Sequence, residues 1–339
     1  MSDFGERALI ERITARLAMP SWVVVGPGDD AAVLQQVRGT LDVLTTDVQV
    51  EGVHFDRRFV PPDAIGHRAL AVNLSDLAAM GASPRATLLS LVLPDALDVV
   101  VVDGMLDGML ALASAHKVTL VGGNIARSPG PLVVDMTATG TVRPRRLLTR
   151  AGARPGDVVF VTGMLGDAFV GLRSLRDRAD LQVGPRDAGV GADLQVGPCE
   201  AKYLRPEPRV RAGMLLGRNR AASACVDLSD GLADGVRQIA RASHVGIALD
   251  AGALPISDDA RRWHSERGTD PVAAALGGGD DYELLFTVRA PTRGPFREVQ
   301  RLVGDVPITK IGVVTRDRRL TIRTPDGERE LPEGFEHFR

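Results

Sequence analysis

The sequence predicts a two-domain α/β protein, and three observations carry that reading. Short β-branched runs alternate with helical periods along the chain. At 339 residues the chain is longer than one hydrophobic core fills, roughly 250–300 residues. A stretch rich in Arg, Pro and Gly at 143–156 interrupts the pattern, dividing the chain into domains 1–147 and 148–339. Aromatic residues are only 4% against 44% hydrophobic, so the interior is built from Ala, Val and Leu, which suits layers of helix on sheet.

In chain order, the run 23–25 reads as a strand leading into the turn Gly26-Pro27-Gly28-Asp29-Asp30. Residues 43–46 read as a strand ending at Asp47. A helix then starts at Pro61-Pro62-Asp63, with Asp63 as N-cap, and stops at Gly81. A second helix covers 101–115. The strand 118–121 runs into Gly122-Gly123-Asn124, and another strand spans 132–141. In the second half, strand 158–161 leads into Gly163-Met164-Leu165-Gly166. Strand 224–226 feeds Asp227-Leu228-Ser229-Asp230-Gly231, where Ser229 and Asp230 start a helix that places Leu232, Val236 and Ile239 on one face. Further strands are expected at 247–249, 284–288 and 311–314. The heptapeptide ADLQVGP occurs twice, at 179–185 and 192–198, and reads as an expanded surface loop over 179–198.

Composition narrows the function. With 41 Lys+Arg against 43 Asp+Glu there is no basic footprint for nucleic acid. The most apolar region, 88–102, is broken by Pro94, Asp95 and Asp98, so no membrane span is expected. Cys199 and Cys225 cannot make a cysteine-rich metal site, and the N-terminal stretch has no signal-peptide pattern; both point to the cytoplasm. There is no G-x-x-x-x-G-K-[ST] loop and no protein-kinase motif set, so any nucleotide site is of another kind.

The aspartates carry the chemistry. Asp30, Asp47, Asp227 and Asp230 sit at expected strand ends or in the turns that follow, where open α/β sheets bind ligands. Converging carboxylates need a cation, and magnesium is the hard ion that shares oxygen ligands with phosphates. Asp76 lies near the end of a largely apolar helix, against the macrodipole, with Asn73 one turn earlier on the same face. Gly122-Gly123 permits close backbone approach to phosphates, and the start of the 229–231 helix can bind an anion. Gly277-Gly278-Gly279-Asp280-Asp281-Tyr282-Glu283 sets three acids beside a flexible turn.

Taken together in this order, the motifs resemble the thiamine-monophosphate kinase family, within the aminoimidazole-ribotide-synthetase-like, or PurM-like, superfamily. They are Gly28-Asp29-Asp30-Ala31-Ala32, Thr45-Thr46-Asp47 with Gly52-Val53-His54-Phe55, NLSDLAAMGA from Asn73 and Gly122-Gly123-Asn124. Leu148-Thr149-Arg150, LRPEPR from Leu204, DLSDGL from Asp227, GGDDYEL from Gly278 and Gly334-Phe335-Glu336-His337-Phe338 complete the set. The resemblance implies ATP-dependent phosphorylation of thiamine monophosphate, the last step in making thiamine diphosphate. It also implies an N-terminal domain that binds nucleotide and dimerises, a C-terminal α/β domain, and several magnesium ions. Position by position, Asp30, Thr45, Thr46, Asp47, Asp76, Asn124, Asp227 and Asp230 match metal positions. Gly123, Asn124, Arg150 and Ser229 match nucleotide contacts; His54, Asp280 and Phe335 match positions that meet thiamine monophosphate. Arg150 and Asp227 are the expected catalytic residues. Two departures stand out: Asn124 where the family usually has Asp, and Asp280 where it usually has Glu. Other ATP-using members of the superfamily and a non-catalytic nucleotide-binding protein are the alternatives.

Overall fold

A computed structural model describes residues 5–181, 196–289 and 292–333. The chain forms two compact units, Met1–Leu77 with Ser83–Val142 and Arg178–Leu194, and Ala78–Ala82 with Arg143–Asp177 and Gln195–Arg339.

The first unit opens with helix α1 (Glu6–Thr14) and a small antiparallel pair, β1 (Val23–Val25) and β2 (Val33–Leu34). Strand β3 (Leu41–Val50), helix α2 (Pro62–Ala79), strand β4 (Ser83–Pro94), helix α3 (Val99–His116), and strands β5 (Thr119–Ser128) and β6 (Val133–Val142) follow. They build a four-stranded sheet ordered β3-β6-β4-β5. The β4–β5 pair is parallel and therefore needs the α3 crossover; the other pairs are antiparallel.

Alternation along β6 defines the two sides of this sheet. Val134, Met136, Ala138 and Val142 are buried, whereas Asp135, Thr137 and Thr139 are half-exposed on the other side. Helix α2 covers the buried side and crosses α3 with backbones almost touching. A Cβ on Gly66 would stand 1.8 Å from the Met105 carbonyl oxygen, and one on Gly108 equally close to that of Asp63. Helix α3 alone among the described helices has the length and apolarity of a membrane span. Its Val102, Met105, Leu106 and Met109 are buried. On its polar side Asp103 receives Arg12 Nε of α1 at 2.7 Å.

The second unit contains β7 (Val158–Thr162), α4 (Asp167–Leu181), α5 (Pro198–Leu204), α6 (Val210–Arg218), β8 (Ala224–Asp227), α7 (Leu232–Ser243), β9 (Gly246–Asp250), α8 (Asp258–Arg267) and α9 (Pro271–Gly277). It ends with β10 (Leu284–Val288), α10 (Arg293–Leu302), β11 (Ile308–Thr315), β12 (Leu320–Thr324) and β13 (Gly327–Glu330). Its seven-stranded sheet runs β13-β12-β9-β11-β7-β10-β8, antiparallel except for β12 beside β9. Val236 and Ile239 of α7 pack in one core with Val159, Val161, Leu285 and Ile311. Phe160 and Phe286 meet Phe296 of α10, with ring centroids 4.6 and 5.9 Å away.

The α/β class and the two-domain plan hold, and several local expectations change. Strand β3 does not end at Asp47, because its pairing with β6 continues to Val50. Gly122-Gly123-Asn124 is no turn but the middle of β5. Gly123 is required there because a Cβ would lie 1.9 Å from the Leu89 carbonyl oxygen. Helix α2 starts at Pro62, so Asp63 lies inside its first turn, and Gly81 (φ 67°) follows the helix as expected. Helix α7 starts after Gly231, which leaves Ser229 and Asp230 in the preceding connection. The duplicated segment is not all loop: Ala179–Leu181 completes α4 and Pro198 begins α5. Residues 182–195 of it lie outside the described residues.

Candidate active site

In the first unit the expected metal residues fall on two sides of one sheet. Thr45 pairs with Ala138 and Asp47 with Met136, so both belong to the side covered by α2. There the Thr45 hydroxyl donates to Asp76 Oδ2, which is why a carboxylate is tolerated within an apolar helix. Thr46 pairs with Thr137 and belongs to the open side. It accepts from Thr137 Oγ1 at 3.0 Å and donates to Met136 O at 3.1 Å, with Asp135 Oδ1 at 3.3 Å. Asn124 shares this open side, since Asp135, Ser90 and Asn124 are paired in a row across β6, β4 and β5. Thr46 and Asn124 nevertheless sit on the outer strands of the sheet. Three strand spacings, about 14 Å, separate those strands.

A cavity of about 750 Å³ lies against the open side. Asp30, Gly123, Asn124, Asp135 and Thr137 line it, and Ile10 and Ile13 of α1 supply an apolar wall. His54 sits in the turn after β3. Its Nδ1 accepts the Val50 N–H at 3.1 Å, so the neutral ring carries its proton on Nε2 and presents a donor. Asp135 was not singled out in the sequence. Its signal was a lone acid within the alternating run of β6.

In the second unit the DLSDG and GGDDYEL segments are one construction. Asp280 N donates to Ser229 O at 2.8 Å, Tyr282 N to Leu228 O at 2.9 Å, and Leu228 N to Glu283 O at 2.9 Å. Asp227, the last residue of β8, is buried and pairs with Leu284. Ser229 Oγ is 3.0 Å from Asp230 Oδ2. Of the three acids at 280–283, only Asp280 is partly open. Asp281 accepts from Gly166 N at 2.8 Å at the start of α4, and burial pushes its carboxyl up to about 8. Glu283 is fully buried and accepts two bonds from Arg209, at 2.6 and 2.7 Å, one from Lys202 at 2.5 Å and one from Thr162 at 2.6 Å. Burial alone would raise its pKa, but these hydrogen bonds and charges outweigh it and hold the carboxyl below its ordinary value. Arg150 is exposed at the end of a segment pinned by Ser243, whose Oγ accepts from Gly152 N and Ala153 N at 3.1 Å and lies 3.2 Å from Arg150 O. Phe335 lies outside the described residues.

Two family descriptions match the chain: AIR synthase related protein, N-terminal domain, over residues 28–142, and its C-terminal domain over 154–324. Thiamine-monophosphate kinase of Escherichia coli (strain K12) is 40% identical over 338 residues, with 98% of each chain covered. That of Bacillus subtilis (strain 168) is 34% identical over 334 residues, again with 98% of each covered. The chain belongs to the thiamine-monophosphate kinase family. The crystal structure of thiamine-monophosphate kinase from Stenotrophomonas maltophilia K279a superimposes with a TM-score of 0.80 at 38% identity, covering 98% of each chain. AaThiL complexed with AMPPCP and TMP matches with a TM-score of 0.76 at 32% identity, covering 100% of this chain and 98% of that one. The two-domain α/β architecture described above is thus that of the thiamine-monophosphate kinase family.

The family implies magnesium, and the donors can be tested against it. Among the described residues no three His, Cys, Asp or Glu side chains form a group able to hold a metal ion. Magnesium, however, typically takes one or two carboxylates and completes its shell with phosphate and water. The donors near Asp76 are all hard oxygens. Gln49 Oε1 on β3 and Asn73 Oδ1 on α2 are buried without a hydrogen-bond partner, on the two elements that carry Thr45, Asp47 and Asp76. Buried oxygens normally find a partner. This donor set fits a hard cation that arrives with phosphate.

Proposed function

We propose that this protein transfers the γ-phosphoryl group of ATP directly to thiamine monophosphate, forming thiamine diphosphate and ADP, the last step of thiamine diphosphate biosynthesis. The observation that carries this reading is the full-length match to AaThiL complexed with AMPPCP and TMP. AMPPCP is a non-hydrolysable stand-in for ATP.

The nucleophile is a phosphate oxygen whose second pKa, ~6, leaves it largely dianionic at neutral pH, so no general base is needed. The barrier is repulsion between two polyanions. Magnesium ions, when bound, supply neutralising charge and hold the phosphates for in-line attack. Asp30, Thr45, Thr46, Asp47, Asp76, Asn124, Asp227 and Asp230 are the oxygen donors assigned to hold them. Gly123, Arg150 and Ser229 are assigned to the nucleotide, with the Arg150 guanidinium offset against developing phosphate charge. His54, through Nε2–H, and Asp280 are assigned to the acceptor together with Phe335. A homodimer is part of the reading, supported by Leu44, Val48 and Leu88, which the first unit leaves exposed on its sheet. A cytoplasmic setting without nucleic-acid or membrane partners completes it.

Phosphorus NMR of the purified protein with ATP, magnesium and thiamine monophosphate tests this directly. Thiamine diphosphate and ADP are expected in equal amounts. Free phosphate without thiamine diphosphate would replace the kinase reading with a hydrolase or synthetase.

A further inference from the structure

We infer that Tyr282 is a positioning residue for the phosphoryl acceptor: its hydroxyl aims the Asp280 carboxylate at thiamine monophosphate. The inference rests on the reading above, in which Asp280 meets the acceptor.

Asp280 and Tyr282 both adopt left-handed backbone conformations, with φ of 67° and 50°. Such conformations are strained for a non-glycine residue and persist only where the surroundings enforce them. Here they bring two alternate side chains together, so that Tyr282 Oη donates to Asp280 Oδ1 at 3.1 Å. The surroundings that enforce this are visible on each side. Asp281, between them, is spent on the start of α4, and Glu283 is locked by Arg209 and Lys202. The backbone of 280 and 282 is registered on 228 and 229. Gly279 allows that docking, since a Cβ there would lie 2.5 Å from Ser229 O.

Tyr282 is 7% exposed, so its ring is fixed by packing and its hydroxyl acts from a rigid arm. Asp280 is half-exposed. The bond to Oδ1 sets the orientation of the whole carboxylate, and the acceptor in this reading offers it a thiazolium cation and an aminopyrimidine N–H donor. Asp has one rotatable bond fewer than Glu, and one methylene less reach. Its contact therefore depends on being aimed, which is the work a neighbouring hydroxyl performs.

The experiment is Tyr282→Phe, which keeps the buried ring and deletes only the hydroxyl, compared with Asp280→Asn and the double variant. Tyr282→Phe is expected to raise KM for thiamine monophosphate about five- to twentyfold, with kcat, KM for ATP and Tm close to the parent. In the double variant KM should equal that of Asp280→Asn, because both changes remove the same aimed contact. An unchanged KM for thiamine monophosphate overturns the inference. So does a parallel change in KM for ATP, kcat and Tm, which would make Tyr282 a packing residue, and so does additivity in the double variant. Absence of turnover in the parent protein is a separate result: it removes the kinase reading and this inference with it.

Discussion

Asn124, assigned above to a metal position, offers one carbonyl oxygen but no charge. It faces the cavity on the open side of the sheet, in the same cross-strand row as Ser90 and Asp135. Two neutral side chains and one carboxylate thus occupy that row, and attraction between a carboxylate and a divalent ion is substantial even at an effective dielectric of ~20. Restoring the charge with Asn124→Asp should lower the magnesium needed for half-maximal turnover about threefold or more, at saturating ATP and thiamine monophosphate. Direct titration with manganese, followed by electron paramagnetic resonance, should show the same tightening. An unchanged or higher requirement in both would remove Asn124 from any metal site. Among single residues, the need of Asp76 for a polar partner was readable, since a carboxylate in an apolar helix demands one; the sequence pointed to Asn73, and the fold supplies Thr45 from the neighbouring sheet. Asp135 was not, because one acid among alternating threonines has no signature until the strands are paired.

At the level of elements, the sequence showed the DLSDG and GGDDYEL segments as two motifs, and the fold makes them one. What hid the union is that it runs through backbone hydrogen bonds, which leave no mark on residue type. Sequence distance hid the role of the LRPEPR segment, whose side-chain partner lies 74 positions further along the chain. Its last residue, Arg209, is nine-tenths buried and forms a two-point pair with Glu283, which has no exposed surface. Removing one partner of a buried pair leaves a charge without compensation and costs about 3–5 kcal/mol. Lys202 remains on Glu283, so Arg209→Met should fall near the lower end, about 3 kcal/mol by urea unfolding. The pH dependence carries a sign as well. Glu283 has a folded pKa below its unfolded value, ~4.3. Its contribution is therefore present above that value and lost as pH falls through the folded one. The variant should show a weaker loss of stability on acidification than its parent. A cost under about 1 kcal/mol, or an identical acid limb, would mean that Lys202 and Thr162 hold Glu283 without Arg209.

For the whole molecule, the α/β class and the division into two units were legible because hydrophobic periodicity and composition are properties of long stretches. Strand ends were less so: β3 and β5 run on past Asp47 and Gly122 because cross-strand pairing, absent from the local sequence, overrides turn-forming residues. Global stability should also record a buried acid of the opposite kind to Glu283. Asp281 is fully buried, and desolvation is the main reason its carboxyl rises from 3.8 to about 8. The folded protein then holds a proton there that the unfolded chain releases above pH ~4. With more protons bound in the folded state, stability falls as pH rises. The contribution is complete below the unfolded value and is lost on the way up to about pH 8, at no more than about 1.4 kcal/mol per pH unit. Asp281→Asn removes the titration but keeps an oxygen for the Gly166 N–H. It gives up the weaker bond from Ala168 N, 3.4 Å away, at every pH. The variant should therefore be less stable than the parent at pH 5, and the gap should narrow or reverse by pH 8. Urea unfolding of both proteins at pH 5, 6.5 and 8 measures it. A gap that stays constant across that range would show that Asp281 remains ionised in the fold, with the α4 N–H groups compensating its charge.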